Sequence, residues 1–366
     1  MKAAEWIASA RLARWLGPWA QSTAAPTDVT RTIQKIAAKS HAERELTVWS
    51  YRPNSRTPHG SVLLLPGMHF LGPADPRLDR FSRVLASAGL HVNAVFLPDF
   101  EALTLRPTLF SDAQRALDGL YDDPTRPPGP VGVLTISFGS LVGLELALEP
   151  RNASKIASLV LFGGYGDLAQ TLRFCVGGAP GAPHDPLNKC VVFLNLLEHF
   201  ELSPDERNEL ADVWMRFVRA TWGQPVLKDP TWFVPIAREL AEALRPAVRA
   251  LFLQTTGAEP GAMALFETTY ARAEASLAWL DIRAKLHALR IPTSIIHGAE
   301  DDVIRYTQAH TLADAIAPNA LRGVMITGMY GHTGSTLAGL SSLKSTAREV
   351  QTLLRALSTL VRVSSR

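Results

Sequence analysis

The sequence predicts a doubly wound, mostly parallel α/β sheet with an inserted helical segment. Short apolar runs that end at turn-forming residues alternate with stretches whose apolar residues recur at helical spacing. This alternation stops between residues 166 and 289, where long helical stretches replace it. The predicted organisation is an N-terminal helical extension (1–44), a first part of the core (45–165), a helical cap insertion (166–289) and a second part of the core (290–366).

The predicted strands are short apolar or alternating segments at 46–51, 62–65, 92–97, 131–134, 159–162, 294–296 and 324–327. Apolar residues at helical spacing predict helices at 78–88, 111–121, 140–148, 306–315 and 350–361. Buried parallel strands read as continuous apolar runs because helices cover both faces of the sheet. The core is therefore expected to be a layered α/β structure.

The inserted helical segment is rich in aromatic side chains. They are Trp214, Phe217, Trp222, Trp232, Phe233, Phe266, Tyr270 and Trp279. Most are expected to form the core of the insertion itself, and the others to line a substrate pocket. The chain's two cysteines, Cys175 and Cys190, also lie in the insertion, either as reduced apolar residues or as one disulfide.

Charge and composition exclude several classes of function. The net charge of +3 comes from 37 basic and 34 acidic residues that are mixed along the chain, so no nucleic-acid partner is expected. The sequence has no metal-binding motif and no glycine-rich phosphate loop, so no cofactor is expected. Since no apolar run approaches the ~20 residues of a bilayer span and no secretory signal is visible, we expect a cytoplasmic protein.

An amphipathic stretch at residues 6–19 leaves two interpretations open. Ala8, Leu12, Trp15 and Leu16 recur at helical spacing among basic residues. Such a stripe either packs on the protein's own core or makes peripheral contact with a membrane surface. The sequence does not indicate an oligomeric state.

The sharpest local signal is a serine between a predicted strand and an apolar helix. The hexapeptide TISFGS (residues 135–140) is centred on Ser137. In a nucleophile elbow the serine stands on a sharp turn, and the residues two positions before and after it must be small. Gly139 fits this requirement, whereas the β-branched Thr135 departs from it. Taken alone, these six residues are equally compatible with a serine that caps a helix.

Two further turns support the interpretation as an elbow. The strand at 294–296 leads into Asp301, and the strand at 324–327 leads into His332. The order serine, aspartate, histidine, each soon after a strand of a doubly wound sheet, is that of a catalytic triad. Ser137 is therefore predicted to be the nucleophile, Asp301 the acid and His332 the general base.

These three residues, with Pro66-Gly67 after an early strand, resemble the α/β-hydrolase family with a helical cap. The resemblance covers residues 45–362 and is silent on the cap and on the first 40 residues. It implies an oxyanion hole made by the backbone N–H groups of Met68 and Phe138.

The resemblance also ranks the candidate acids. Asp301 comes first because its spacing from Gly298 matches the family's turn, while Asp302 and Asp167 remain alternative acids. His69, close to the predicted oxyanion loop, is either a substrate contact or an exposed loop histidine.

The function predicted by these residues is that of a serine hydrolase. It would cleave a carboxylic ester, thioester or amide of a largely apolar small molecule through an acyl-enzyme. The same triad would also serve an acyltransferase, and the fold alone is compatible with a non-catalytic binding protein. The expected partner is therefore a small-molecule acyl substrate.

Overall fold

A computed structural model describes residues 10–15, 23–41, 43–328, 330–331 and 334–335. The predicted helix at 350–361, much of the 6–19 stretch and His332 lie outside these residues. The helices of the described part include none long and apolar enough to cross a membrane.

Eight strands form one sheet in the order β1-β2-β4-β3-β5-β6-β7-β8. The strands are β1 (Val29–Ile36), β2 (Leu46–Pro53), β3 (Gly60–Leu65), β4 (Leu90–Val95), β5 (Val131–Ile136), β6 (Ile156–Phe162), β7 (Thr293–Gly298) and β8 (Leu321–Thr327). β2 is antiparallel to both β1 and β4, and all the other pairs are parallel. Residues Tyr330–Gly331 (β9) and Gly334–Ser335 (β10) form a separate two-stranded sheet.

The α-helices alternate with the strands of the large sheet, except in one long helical stretch. They are α1 (Pro76–Ser87), α2 (Pro98–Glu101), α3 (Thr108–Tyr121), α4 (Gly139–Leu148), α5 (Leu168–Gly177), α6 (Lys189–Leu194), α7 (Pro204–Thr221), α8 (Pro230–Ala241), α9 (Pro246–Thr256), α10 (Ala262–Leu277) and α11 (Thr307–Ala315). The mostly parallel sheet and its flanking helices give the chain the α/β-hydrolase fold.

The described chain divides into two compact units. The sheet unit comprises the described residues of Met1–Gly166, Ile282–Glu300 and Tyr306–Arg366. The helical unit comprises Asp167–Asp281 and the short segment Asp301–Arg305. The predicted insertion at 166–289 nearly coincides with the long part of the helical unit, but its function as a cap stays a prediction.

The core of the sheet unit follows directly from the continuous apolar strands. Every residue of β3 and β4 is buried, as expected for strands covered on both faces. One apolar cluster joins successive strands to α1 through Leu64, Val92, Leu134, Val160, Ile296, Leu78 and Leu85. The carboxyl ends of β3, β5 and β6 lie side by side in this sheet because these strands are neighbours and parallel.

The segment before residue 45 differs from the predicted helical extension. Val29–Ile36 forms β1, an edge strand in which only Val29 is fully buried. An exposed edge strand lacks the alternation that marks a half-buried one, so its sequence gave no strand signal. The short helix at 10–15 agrees with packing on the protein's own core, since Leu12 is 1% exposed and Arg11 donates to the Ser87 carbonyl at 2.8 Å. Membrane contact by the 6–19 stretch stays a prediction.

Candidate active site

Ser137 occupies a sharp turn between β5 and α4. Its φ angle is +53°, and Ser137 and Leu103 are the only non-glycine residues with positive φ in the described part of the chain. The Ser137 N–H donates to the Phe162 carbonyl at the end of β6 (2.8 Å), and the Ser137 carbonyl accepts from Ser140 N–H (2.9 Å). A left-handed conformation costs a serine about 1 kcal/mol, so the surrounding structure holds this turn against its own preference.

Two glycines allow the neighbouring chain to approach the serine closely. A Cβ atom added to Gly139 would lie 2.5 Å from the Pro66 carbonyl oxygen and 2.9 Å from that of Leu65. A Cβ atom added to Gly67 would lie 3.1 Å from the Cβ of Ser137. The loop after β3 therefore passes directly beside the serine, where the predicted oxyanion loop should be.

The departure at Thr135 has a structural explanation. A Cβ atom added to Gly143, in the second turn of α4, would lie 2.3 Å from Cγ2 of Thr135. The threonine side chain thus occupies the space that a helix residue leaves empty, and the small residue needed at the elbow lies in the helix rather than in the strand. Sequence reasoning missed Gly143, although an isolated glycine within an apolar helix usually has a packing reason.

The two predicted oxyanion donors differ in what the structure shows around them. Phe138 lies at the start of α4, where helix N–H groups have no intrahelical partner and the helix dipole favours negative charge. Its ring packs on Tyr165 with the centroids 5.1 Å apart, and Tyr165 is only 2% exposed. Met68 follows Gly67 in the loop that touches Ser137. The role of both N–H groups as an oxyanion hole stays a prediction.

His69 is part of a polar cluster in the loop after β3. Its Nδ1 accepts from the Leu71 N–H at 3.1 Å, so the ring proton resides on Nε2, which lies 3.5 Å from Asp75 Oδ2. Asp75 in turn binds the Arg77 guanidinium at 2.6 Å. Burial lowers the pKa of His69 more than the Asp75 carboxylate raises it. The ring is thus neutral at pH 7, and its partly buried position differs from that of an exposed loop histidine.

Asp301 begins the segment that belongs to the helical unit, which we call the acid turn (residues 301–305). Its Oδ1 accepts two backbone hydrogen bonds, from Val303 N–H at 3.0 Å and from Ile304 N–H at 2.8 Å. The residue is 5% exposed. Backbone donors of this kind stabilise a carboxylate and fix its orientation, both of which a triad acid needs.

The two alternative acids are engaged in other interactions. The Asp302 carboxylate pairs with Lys228, whose ammonium also lies 2.9 Å from Asp185 Oδ2. Burial opposes the charge on Lys228, but the two carboxylates outweigh it and raise the pKa of the ammonium. Asp167 caps α5, because its Oδ1 accepts from Gln170 N–H at 2.9 Å. These contacts favour Asp301 as the acid.

The two cysteines are free thiols within the helical unit. Both are fully buried, and burial raises the pKa of each thiol to about 12. The Sγ atom of Cys175 donates to the Val303 carbonyl in the acid turn at 3.3 Å. Within the described ranges, no group of three or more histidine, cysteine or acidic side chains is arranged to bind a metal ion.

No family model and no curated protein matches this sequence. Three solved structures illustrate the structural similarity, each at low identity. An acylaminoacyl peptidase in complex with Z-Gly-Gly-Phe-chloromethyl ketone matches 90% of this chain with a TM-score of 0.48 and 11% identity. A 2,6-dihydroxy-pseudo-oxynicotine hydrolase matches 92% (TM-score 0.46, 13% identity), and an esterase of Pyrococcus furiosus matches 93% (TM-score 0.49, 12% identity).

These chains differ greatly in length. The match covers 41% of the peptidase, 67% of the pseudo-oxynicotine hydrolase and 96% of the esterase. This chain therefore spans about two fifths of the peptidase it matches.

Proposed function

We propose that this protein is a serine hydrolase that cleaves a carboxylic ester, or a thioester or amide, of a largely apolar small molecule through an acyl-enzyme. The observation that carries the proposal is the positive φ of Ser137 in a turn between a central parallel strand and an apolar helix. Such an unfavourable backbone conformation costs free energy, and residues that adopt one cluster at active sites. We therefore infer that the Ser137 hydroxyl is needed in this position. A serine that only capped the helix would lie outside the left-handed region.

In the proposed reaction, His332 accepts the proton of Ser137 as the hydroxyl attacks the acyl carbon. Asp301 holds the imidazole in the required tautomer and stabilises its protonated form. The N–H groups of Met68 and Phe138 stabilise the oxyanion, and the loss of one such donor typically costs about 3 kcal/mol in the transition state. The alcohol leaves with the proton from His332, and water then releases the acid.

Two features of the serine turn support this reaction. Gly67 brings the loop after β3 within van der Waals distance of the Ser137 side chain, which supports the proposal that the next N–H group, that of Met68, binds the oxyanion. Phe138 would add its own N–H group, and it lies at the N-terminus of α4, where the helix dipole favours negative charge. In the proposed reaction, these two donors bind the oxyanion that forms when Ser137 attacks.

Labelling with a fluorophosphonate probe tests the proposal. We expect an adduct on Ser137 in the native protein, no adduct in Ser137→Ala, and much slower labelling in His332→Ala. Peptide mapping by mass spectrometry identifies the modified residue. Folded protein that stays unlabelled would contradict the proposal and favour a binding protein.

Hydrolysis of p-nitrophenyl esters of increasing chain length tests the substrate class. If the acyl pocket is apolar, kcat/KM should rise with chain length until the pocket is filled. Each added CH₂ group should lower the activation free energy by about 0.8 kcal/mol, because it is buried in the pocket. A flat or falling profile from acetate onwards would contradict an apolar acyl substrate. Added alcohols that divert the acyl group from water would indicate acyl transfer instead.

A further inference from the structure

The acid turn is held by a network of side chains that neither the triad nor the oxyanion hole includes. Its centre is Lys228, which follows α7 in a 3-10 turn (Pro225–Lys228) and contacts both Asp302 and Asp185. Asp185 and Asp302 are also joined through their backbones, since Asp185 N–H donates to the Asp302 carbonyl at 2.8 Å. Three segments that are distant in sequence therefore meet around one ammonium group.

The charges of this network require one another. The side chains of Asp185 and Asp302 are 5% and 16% exposed, and that of Lys228 is 21% exposed. Two carboxylates so close together and so poorly hydrated would repel each other without the ammonium between them. Removal of Lys228 should therefore push the acid turn away from the Asp185 segment.

The same turn is fixed at two further points. The Cys175 thiol donates to the Val303 carbonyl, and the Arg305 guanidinium lies 5.9 Å from the centre of the Phe174 ring. Both partners belong to α5. Within the turn itself, the N–H groups of Val303 and Ile304 orient Asp301, so any displacement of residues 302–304 also moves the Asp301 carboxylate.

We propose that Lys228 is a positioning residue, which holds the acid turn through Asp302 and Asp185 and thereby orients the Asp301 carboxylate. This inference rests on the proposed function, because the orientation of Asp301 matters for catalysis only if Asp301 is the acid. In this role Lys228 acts through the acid turn, by way of its ion pairs with Asp302 and Asp185. The network also argues against Asp302 as the acid, because its carboxylate is paired with Lys228.

The variant Lys228→Met tests the inference, because it removes the charge and keeps the length of the side chain. With a p-nitrophenyl ester we expect kcat to fall by about ten- to a hundred-fold while KM changes little, as for a catalytic group displaced by about 1 Å. Lys228→Arg keeps the charge and should recover a large part of kcat. The matched control is Lys285→Met, which breaks an ion pair of the sheet unit with Glu145 (2.7 Å) and should leave kcat unchanged.

Hydrogen–deuterium exchange provides a measurement that does not depend on activity. In Lys228→Met the amides of Val303 and Ile304 should exchange about ten-fold faster, because the turn opens more often. The control Lys285→Met should leave these amides unchanged. If Lys228→Met does not fold, Asp302→Asn removes the ion pair between Lys228 and the acid turn without leaving two carboxylates unpaired, so a smaller acceleration of the same two amides is expected.

The outcomes separate this inference from the proposed function. Unchanged exchange or unchanged kcat in Lys228→Met, with an active wild-type enzyme, would overturn the positioning role alone. Faster exchange in Lys228→Met together with a wild-type protein that forms no adduct would overturn the proposed function and the catalytic part of the inference. A fall in kcat that Lys285→Met reproduces would also overturn the inference, since the effect would then be a general loss of stability.

Discussion

The serine turn (residues 135–140) and the acid turn each follow a parallel strand, but different forces hold them. Close backbone contacts fix the serine turn. There is no space for a methyl group at Gly139 or at Gly143, and the Ser137 N–H donates a hydrogen bond to β6. Charges and side-chain hydrogen bonds fix the acid turn through Lys228 and Cys175. Close packing tolerates almost no displacement, whereas an ion-pair network can open when one charge is removed. Ser137 is thus held by close packing in the core, and the acid turn by polar side chains.

The largest effect is expected from Gly139→Ala in the serine turn. The added Cβ would lie 2.5 Å from a backbone oxygen, and backbone cannot move aside as a side chain can. We expect a loss of about 3 kcal/mol in the free energy of unfolding, at the upper end of overpacking, measured by urea denaturation. Gly328→Ala is the control, because a Cβ there meets no atom of the described residues within 4 Å. Equal stability of the two variants would show that the serine turn is not held by packing.

The second effect concerns Thr135 and Gly143. Gly143→Ala should cost about 2 kcal/mol, because its Cβ would overlap with Cγ2 of Thr135. Thr135→Ser removes that methyl group, so the double variant should regain most of the loss. A double-mutant cycle on the free energy of unfolding measures this coupling. Strictly additive effects would mean that the threonine methyl does not fill the space left by the glycine.

A smaller effect is expected at Ser137 itself. Ser137→Gly should be more stable than Ser137→Ala by about 1 kcal/mol, because glycine adopts the left-handed conformation without cost. Both variants lack the proposed nucleophile and should not react with the fluorophosphonate probe. Thermal unfolding of the two variants side by side gives the difference. Equal stability would show that the turn carries no backbone strain.

The smallest effect is the reactivity of Cys175, which reports on the acid turn. Since burial raises the pKa of both thiols to about 12, a maleimide at pH 8 should modify neither cysteine in the native protein. Because the pKa of both thiols is raised in the folded protein, the free energy of unfolding should fall as the pH rises above 9.0, the pKa of the thiols in the unfolded chain. Above that pH the unfolded thiols lose protons that the folded thiols keep. In Lys228→Met, Cys175 should become reactive before Cys190, as mass spectrometry would show.

Rapid modification of Cys175 in the wild-type protein would contradict the closed acid turn. Equal reactivity of the two cysteines in Lys228→Met would mean that the helical unit loosens as a whole. Cys190 is the internal reference, because its thiol donates to the Leu187 carbonyl at 3.5 Å rather than to the acid turn.

The sequence determined those features of the protein that depend on neighbouring residues. The apolar runs predicted the core strands to within a few residues, and the fold class was confirmed. The position of Ser137 between a strand and a helix could also be predicted, because a sharp turn has local requirements. β1 was missed, since most of its residues are exposed and the strand has no buried face to mark it.

Only the tertiary structure decided how the two turns are held. Gly143 compensates for Thr135 from the second turn of α4, and Lys228 reaches the acid turn from 74 residues away in the chain. Such pairs leave no periodic pattern in the sequence, because each depends on which segments the fold brings together. A sequence pattern can therefore locate a turn, but packing and charge in three dimensions determine which residues hold it in place.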